Sequence, residues 1–410
     1  SGGPASVRFT LLRQPGPAVV RDDLVAAGGR TDLVVNNLFA DTSEAPAVIE
    51  SNAPVIAERF MNFGNDISST AGVRQPSRVW YFAEGSTTNN RKTYLLLFNP
   101  RDERVAATIT YMLSRECVGT QTVTVPPRQR AVITVADADV EVACLQADGK
   151  VETTTQKIAA GFGVRVVAAA PIIAERTMIF GAGSTANSGG VHSAPGMTSL
   201  SRQWYFAEGT TQAPFSMSIL VLNPNAQPAN VAVKFLTDSG TSLTRSYAIP
   251  PLTRLELPVN EVVPELGIAT TVTADRPVAV ERALYWKSEA AGTAGPGATA
   301  PAYTWRFADG RTADQFQEYL LLSNPGVNQA RVTVEFVLAN GSKSSQSVIM
   351  PKESRYTMAV HQLYPGQAAI SATVRSTQPI VAERPLFLGA PGPGDSKGGA
   401  TALGVAEDLP

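Results

Sequence analysis

Charge is scarce in this chain. Only 17% of its 410 residues are Asp, Glu, Lys or Arg, and the net charge is −1. Nothing in that balance supports electrostatic binding to nucleic acid. Histidine is scarcer still, with His192 and His361 far apart in sequence. The two cysteines, Cys117 and Cys144, complete a donor set that argues against a zinc site. No apolar run is long enough to span a bilayer. The nearest, Ile158 to Ala174, is broken by Arg165, two glycines and a proline. No phosphate loop, dinucleotide fingerprint, metalloprotease motif or nucleophile elbow occurs, so no cofactor is expected and the chain reads as a non-enzyme. The opening Ser1-Gly2-Gly3-Pro4 has no Met and reads as processed or excised.

What is present is repetition. Ala57-Glu58-Arg59, Ala174-Glu175-Arg176, Val280-Glu281-Arg282 and Ala382-Glu383-Arg384 each close a short apolar run. Each run opens on a proline, at Pro54, Pro171, Pro277 or Pro379. A second phrase occurs three times, as Trp80-Tyr81-Phe82-Ala83-Glu84-Gly85, Trp204-Tyr205-Phe206-Ala207-Glu208-Gly209 and Trp305-Arg306-Phe307-Ala308-Asp309-Gly310. Self-similarity at this period predicts a tandem array.

The copies align strand by strand. After the aromatic phrase and a polar loop, a continuous apolar run ends in Asn-Pro, at Asn99-Pro100, Asn223-Pro224 and Asn324-Pro325. Such a run reads as a strand buried on both faces, ended by a turn former and a residue without an N–H. Alternating strands follow, such as Ala232-Val233-Lys234-Phe235, with one face inside and one wet. Further on come Pro126-Pro127, Pro250-Pro251 or Pro351, and then Arg130, Arg254 or Arg355. One more strand, a helical turn and two strands ending in Glu-Arg complete the unit. About seven short strands per roughly 100 residues predict an all-β tandem array of immunoglobulin-like β-sandwich domains, without the Cys-Trp-Cys signature.

The boundaries expected are 1–77, 78–201, 202–302 and 303–390, with a Gly/Pro-rich tail at 391–410. Gly64–Ser77, Gly181–Ser201 and Lys287–Ala302 read as linkers or long loops. The second unit carries extra sequence around Glu141 to Lys157. A Cys117–Cys144 disulfide there would close a loop of roughly 27 residues, worth about 3 kcal/mol. Two buried hydrophobes are the alternative. The first unit is short. Ala5 to Leu12 aligns without gaps to Ala330 to Val337, and Arg30 matches Arg130, but the aromatic phrase and the Asn-Pro strand are missing. Two explanations stand: a fragment of a longer array, or strands donated by another copy, with the tail Ala400 to Val405 as candidate donor.

The phrases Trp-Tyr-Phe-Ala-Glu-Gly-x-Thr, Leu-Leu-Leu-x-Asn-Pro and Pro-Ile-Val-Ala-Glu-Arg resemble a repeat of secreted and cell-envelope proteins from Actinobacteria, Chloroflexi and related bacteria. In those proteins the repeat is a β-sandwich domain of unknown function. The resemblance covers nearly the whole chain. It implies an exported, surface-associated array in the extracellular space, with no established activity. Arg306, Asp309 and Val280 depart from the phrases.

Recurring charges are Glu84, Glu208, Asp309, the four Glu-Arg pairs and Arg30, Arg130, Arg254 and Arg355. A Ca²⁺ cluster or a paired-carboxylate hydrolase is one reading. The stronger is structural, because packing rules repeat identically in every unit and catalytic sites do not. Glu84, Glu208 and Asp309 are expected to pair with Arg59, Arg176, Arg282 and Arg384 of the Glu-Arg strands. Trp80, Trp204 and Trp305 offer a glycan-stacking alternative, though such runs more often fill a core. The expected function is a structural protein of a surface layer, adhesive stalk or filament. Its expected partners are copies of itself or other cell-surface proteins. A carbohydrate-binding adhesion module is the runner-up.

Overall fold

The structure, a computed structural model, describes residues 3–14, 16–39, 45–64, 66–113, 117–146, 148–181, 189–237, 240–287, 289–389 and 396–407. It is nearly all β. Among the described residues the helices are short turns at Val35–Asn37, Val135–Asp137, Val259–Glu261 and Val360–Leu363.

Units 2, 3 and 4 share one plan. The aromatic strands Ser77–Phe82, Ser201–Phe206 and Ala302–Phe307 come first. The Asn-Pro strands follow, at Lys92–Phe98, Ser216–Asn223 and Phe316–Asn324. Next is a hairpin: Val105–Leu113 with Cys117–Val125, Ala229–Thr237 with Ser242–Ile249, or Ala330–Leu338 with Lys343–Met350. A short strand, Arg130–Thr134, Thr253–Pro258 or Ser354–Ala359, pairs back onto the Asn-Pro strand. The hairpins alternate as expected, with Val231, Val233 and Phe235 buried and Asn230 exposed. In unit 3 the Asn-Pro strand is buried on both faces from Ile219 to Leu222. The extra sequence of unit 2 forms a strand pair, Val140–Leu145 with Val151–Gln156, and Cys117 is bonded to Cys144.

The last two strands expected of each unit are one. Phe162–Phe180, Ile268–Trp286 and Ile370–Leu388 are strands of 19 residues. In unit 3 the first half pairs with the aromatic strand and the hairpin. The second half pairs with the Asn-Pro strand and with a further strand. Pro171, Pro277 and Pro379 lie where the register slips and the strand passes from one ladder to the other. Proline has no N–H to give, so it is tolerated best between ladders.

The Gly-rich segments read as linkers are strands instead. Asp66–Ala71, Gly190–Pro195, Ala291–Pro296 and Gly398–Leu403 each pair with the second half of their own long strand, or in unit 1 with Glu58–Phe63. The tail strand is therefore spent within unit 4 and is not offered to unit 1. Residues 65, 182–188, 288, 391–395 and 408–410 of these segments lie outside the described residues. The four inner strands pack around a common axis, each against two others, and the first meets the last. A Cβ on Gly190 would stand 2.3 Å from Phe180, and one on Gly292 2.5 Å from Tyr285. The small residues are there for close approach, a composition that sequence alone reads as flexibility. The units close into a ring rather than hang on spacers.

The core runs through the joints. Met178 and Phe180 of unit 2 and Phe387 of unit 4 share one cluster with Trp204, Phe235 and Trp286 of unit 3. Phe60 of unit 1 meets Phe316 of unit 4 edge to face, with centroids 6.1 Å apart.

Unit 1 has half the plan: the hairpin Ala5–Leu11 with Val19–Val25, then Ala47–Ser51 and Glu58–Phe63 as separate strands. Among the described residues, Ala47–Ser51 pairs only with Ala5–Leu11, and Glu58–Phe63 only with the inner strand. Among the described residues, no strand pairs with the edges that an aromatic strand and an Asn-Pro strand fill elsewhere. With no Asn-Pro strand beside it, the segment after Arg30 is not a strand.

The Asn of each Asn-Pro pair is more than a turn former. Asn223 is fully buried, and its amide donates to the carbonyls of Gln227, Ile249 and Pro250 at 2.9–3.0 Å. Its Oδ1 accepts the Asn225 N–H. Asn223→Ala strips these buried groups of partners, so a loss of about 2–4 kcal/mol in urea denaturation is expected. A loss below about 1 kcal/mol would mean that water replaces the amide.

Candidate functional site: the joints and the hub

Each Glu-Arg phrase reaches into the next unit. Arg176 bonds Glu281 at 2.6 Å, Arg282 bonds Glu383 at 2.9 Å, and Arg384 bonds Glu58 at 3.2 Å. Arg59 bonds Glu175. The order runs from unit 1 to 2, 2 to 3, 3 to 4 and back to 1, so the relay closes. The aromatic phrase lies in the middle of three of these joints. Arg176, Arg282 and Arg384 also donate to the carbonyls of Glu84, Glu208 and Asp309 in their own units. The glutamate of the next unit takes a backbone N–H there: Glu84 to Glu281 at 2.6 Å, Glu208 to Glu383 at 2.6 Å, and Ala308 to Glu58 at 2.8 Å. One arginine and one glutamate from adjacent units thus grip a single stretch of backbone. The second set of arginines adds to the grip. Arg254 donates to Gly85 and Phe162 of unit 2, and Arg30 to Asp309, Gly310 and Ile370 of unit 4. The glycine of the phrase has no room for a side chain: a Cβ on Gly85 would stand 2.4 Å from Phe162.

The side chains of the phrase acids differ among the joints. Glu84 pairs with Arg176 at 2.9 Å and accepts the Tyr285 hydroxyl. Asp309 pairs with Arg30 at 3.2 Å and lies 3.7 Å from Arg384. The Glu208 carboxyl is raised by burial, an effect opposed by Arg282 and Arg355. Arg59 and Glu175 stand apart. Unit 1 has no aromatic phrase to cover them, and they remain 45% and 22% exposed where the other three arginines are buried.

The hub holds one carboxylate that sequence reasoning did not single out. Asp66 is fully buried on the ring axis. It accepts the N–H of its neighbour Ile67 at 2.8 Å, of Val191 in unit 2 at 2.8 Å and of Gly399 in unit 4 at 2.9 Å. The N–H of Gly292 in unit 3 completes the set. These four donors occupy the same position in the four inner strands. Burial pushes the Asp66 carboxyl up to about 7, against the pull of the donors. The sequence did carry a signal, since the matching positions are Gly190, Ala291 and Gly398 and only unit 1 places a charge there.

Other buried groups cluster at the joints. His192, read from sequence as part of a linker, is buried 3.2 Å from the Tyr285 hydroxyl, and burial lowers it to about 4. Glu318 replaces the Thr93 and Met217 of the other units, and burial raises it to about 8 against the pull of Arg384. An acid raised on folding contributes stability that is full below its unfolded value near 4.5 and is lost as pH rises through 8. Glu318→Gln removes that titration. The Tm difference between variant and parent should therefore climb in the variant's favour from about pH 4.5 to about pH 8 and then level off. A difference independent of pH would contradict this.

Among the described residues, the arginines of three joints are buried in their ion pairs. A cleft of about 410 Å³ between units 2 and 3 is lined by Arg91, Arg254, Glu256 and Glu289, whose charges are paired as Arg91–Glu289 and Arg254–Glu256. Among the described residues, no group of His, Cys, Asp and Glu is placed to hold a metal ion. No helix there is long and apolar enough to cross a membrane. Trp80, Trp204 and Trp305 do not form a stacking platform. All three are buried, and their indoles donate to the carbonyls of Ile172, Val278 and Ile380.

Residues 68–283 and 267–383 match DUF5719, a family of unknown function. The chain belongs to that family. Among curated proteins, none matches this DUF5719 chain. A solved structure, Thermotoga maritima 1070, is similar over 26% of the chain and 97% of its own length, at 19% identity and a TM-score of 0.24. A tetra-tandem repeat from the extending region of a large adhesion protein aligns over 100% of the chain and 92% of its own, at 11% identity and a TM-score of 0.12. At these scores neither likeness bears on what the DUF5719 chain does.

Proposed function

We propose that the chain is a non-enzymatic structural module of an exported protein, a rigid ring that builds or spaces a surface layer, stalk or filament. In this reading each unit is a β-sandwich of immunoglobulin-like character, its two ladders joined by the shared long strand. The supporting observation is the use made of the repeated charges. The side chains of Glu84 and Asp309 and the backbone of Glu208 are held by groups from their own and the adjoining unit, which fits residues that recur because the three joints carrying the phrase use them. The bonded cysteines fit an oxidising exterior. The test is turnover on glycan, peptide and ester panels together with negative-stain imaging of the purified chain. Compact, uniform particles or ordered assemblies without turnover are expected. Turnover abolished by Glu208→Gln at unchanged melting temperature would overturn the reading.

A further inference from the structure

Units 2, 3 and 4 differ at one matching position, the residue at the start of the Asn-Pro strand. In unit 3 it is Phe215, which fills the joint with unit 4, its ring 5.5 Å from Trp286 and 6.1 Å from Phe387. In unit 4 it is Phe316, which meets Phe60 of unit 1. In unit 2 it is Arg91, whose guanidinium lies 4.6 Å from the centre of the Tyr285 ring of unit 3. We infer that the joint between units 2 and 3 binds the carboxylate end of an acidic saccharide, in the cleft lined by Arg91 and Arg254. The inference goes beyond the scaffold reading: the ring stays rigid, and one of its joints carries a ligand.

Packing does not call for the exchange. Two joints meet the same need with a phenylalanine, and a buried charge gains no stability where a hydrophobe fits. The joint is also short of negative charge at depth. Arg91, Arg176 and Arg254 are all largely buried, and the buried carboxylates beside them are those of Glu84 and Glu281, one fewer than the cations. The balance is made by Glu289 and Glu256, whose side chains are 38% and 40% exposed and shielded by water. Burial pushes the Arg254 guanidinium down, and Glu256 and Glu84 do not restore it, whereas Arg176 and Arg384 are raised by their carboxylates. The Nε of Arg91 is buried without a hydrogen-bond partner.

These features select the ligand. A guanidinium takes a planar carboxylate through paired N–H groups. Glu289 and Glu256 show that both arginines accept a carboxylate from the cleft side. The volume of about 410 Å³ lies within the range of small-molecule sites, about 300–1,000 Å³. The wall is polar where such sites are usually apolar, with Ser86, Thr88 and Asn89 beside the arginines. Hydroxyl and amide side chains match a hydroxyl-rich body rather than an apolar one. On binding, the ligand carboxylate takes the place of a rim glutamate, which turns to water.

Calorimetric titration of the intact chain with glucuronate, glucose and inorganic sulfate, each alone, tests the site. Saturable binding of glucuronate is expected. Glucose, which lacks the carboxylate, and sulfate, which lacks the hydroxylated body, should each bind at least about tenfold more weakly. Glu289→Gln should tighten glucuronate binding several-fold, because it removes a competing carboxylate. Arg91→Phe, which installs the side chain of the other two joints, should abolish binding while the chain still unfolds cooperatively. The Glu289→Gln result decides the matter on its own should Arg91→Phe fail to fold, since Glu289 lies at the exposed rim. Absence of saturable glucuronate binding, equal binding of glucose or sulfate, or weaker binding by Glu289→Gln would overturn the proposal. So would undiminished binding by a folded Arg91→Phe chain.

Discussion

Asp66→Ala is expected to lower the unfolding free energy by about 3–5 kcal/mol. The change removes the acceptor for four backbone N–H groups, those of Ile67, Val191, Gly292 and Gly399. Each buried donor left without a partner costs about 1–3 kcal/mol, and water entering the vacated space recovers part of the sum. The effect should be felt beyond unit 1, because the donors come from all four units. Hydrogen exchange at Val191, Gly292 and Gly399 should speed up together. Asp66→Asn should not rescue, since one carboxyl oxygen becomes a donor facing donors. Formate should raise the melting temperature of Asp66→Gly more than that of the parent, by mass action at the emptied cradle. A loss below about 1 kcal/mol, or acceleration confined to Ile67, would show that the hub closes without its carboxylate.

The second large effect comes from comparing one substitution at two equivalent positions. Arg282→Ala leaves Glu383 buried without its cation, which costs about 3–5 kcal/mol. Arg59→Ala removes the same kind of bond at a joint where the arginine is 45% exposed, and should cost no more than about 1 kcal/mol. Replacing Arg282 and Glu383 together with Met should recover only part of the loss: neither charge of the pair is then stranded, but the Glu208 carbonyl and N–H lose their partners. Denaturant unfolding of the three variants and the parent decides the matter. Equal costs at the two joints would mean that the aromatic phrase does not seal the pairs from solvent.

Much of the strand plan was legible because it rests on local rules. The alternation of Val231, Val233 and Phe235, the Asn-Pro stops and the insertion of unit 2 follow from periodicity and turn chemistry. The closing of the ring was not legible, because the signal it leaves is ambiguous. Gly190, Gly292 and Gly399 are small so that strands and aromatic rings can meet closely, yet a glycine in a sequence looks the same in a tether. The long strands were split at Pro171, Pro277 and Pro379 for a related reason. Proline normally ends a ladder, and here it marks the passage between two. The recurring Glu and Arg residues pointed to a pairing, but the partner across each joint lies about one unit away in sequence, beyond any local rule. Asp66 was missed because it is singular, and repeat logic draws the eye to what recurs.

The hub also limits the number of units. A string of domains tolerates gain or loss of a member, because each end merely moves. Here a carboxylate with about four lone-pair directions meets four N–H donors, one from each unit. A fifth unit would bring a donor with no acceptor and a strand with no place beside the axis. Loss of one would leave an acceptor site idle and a gap between its neighbours. Gain or loss of a unit is the change that this closed ring can least absorb.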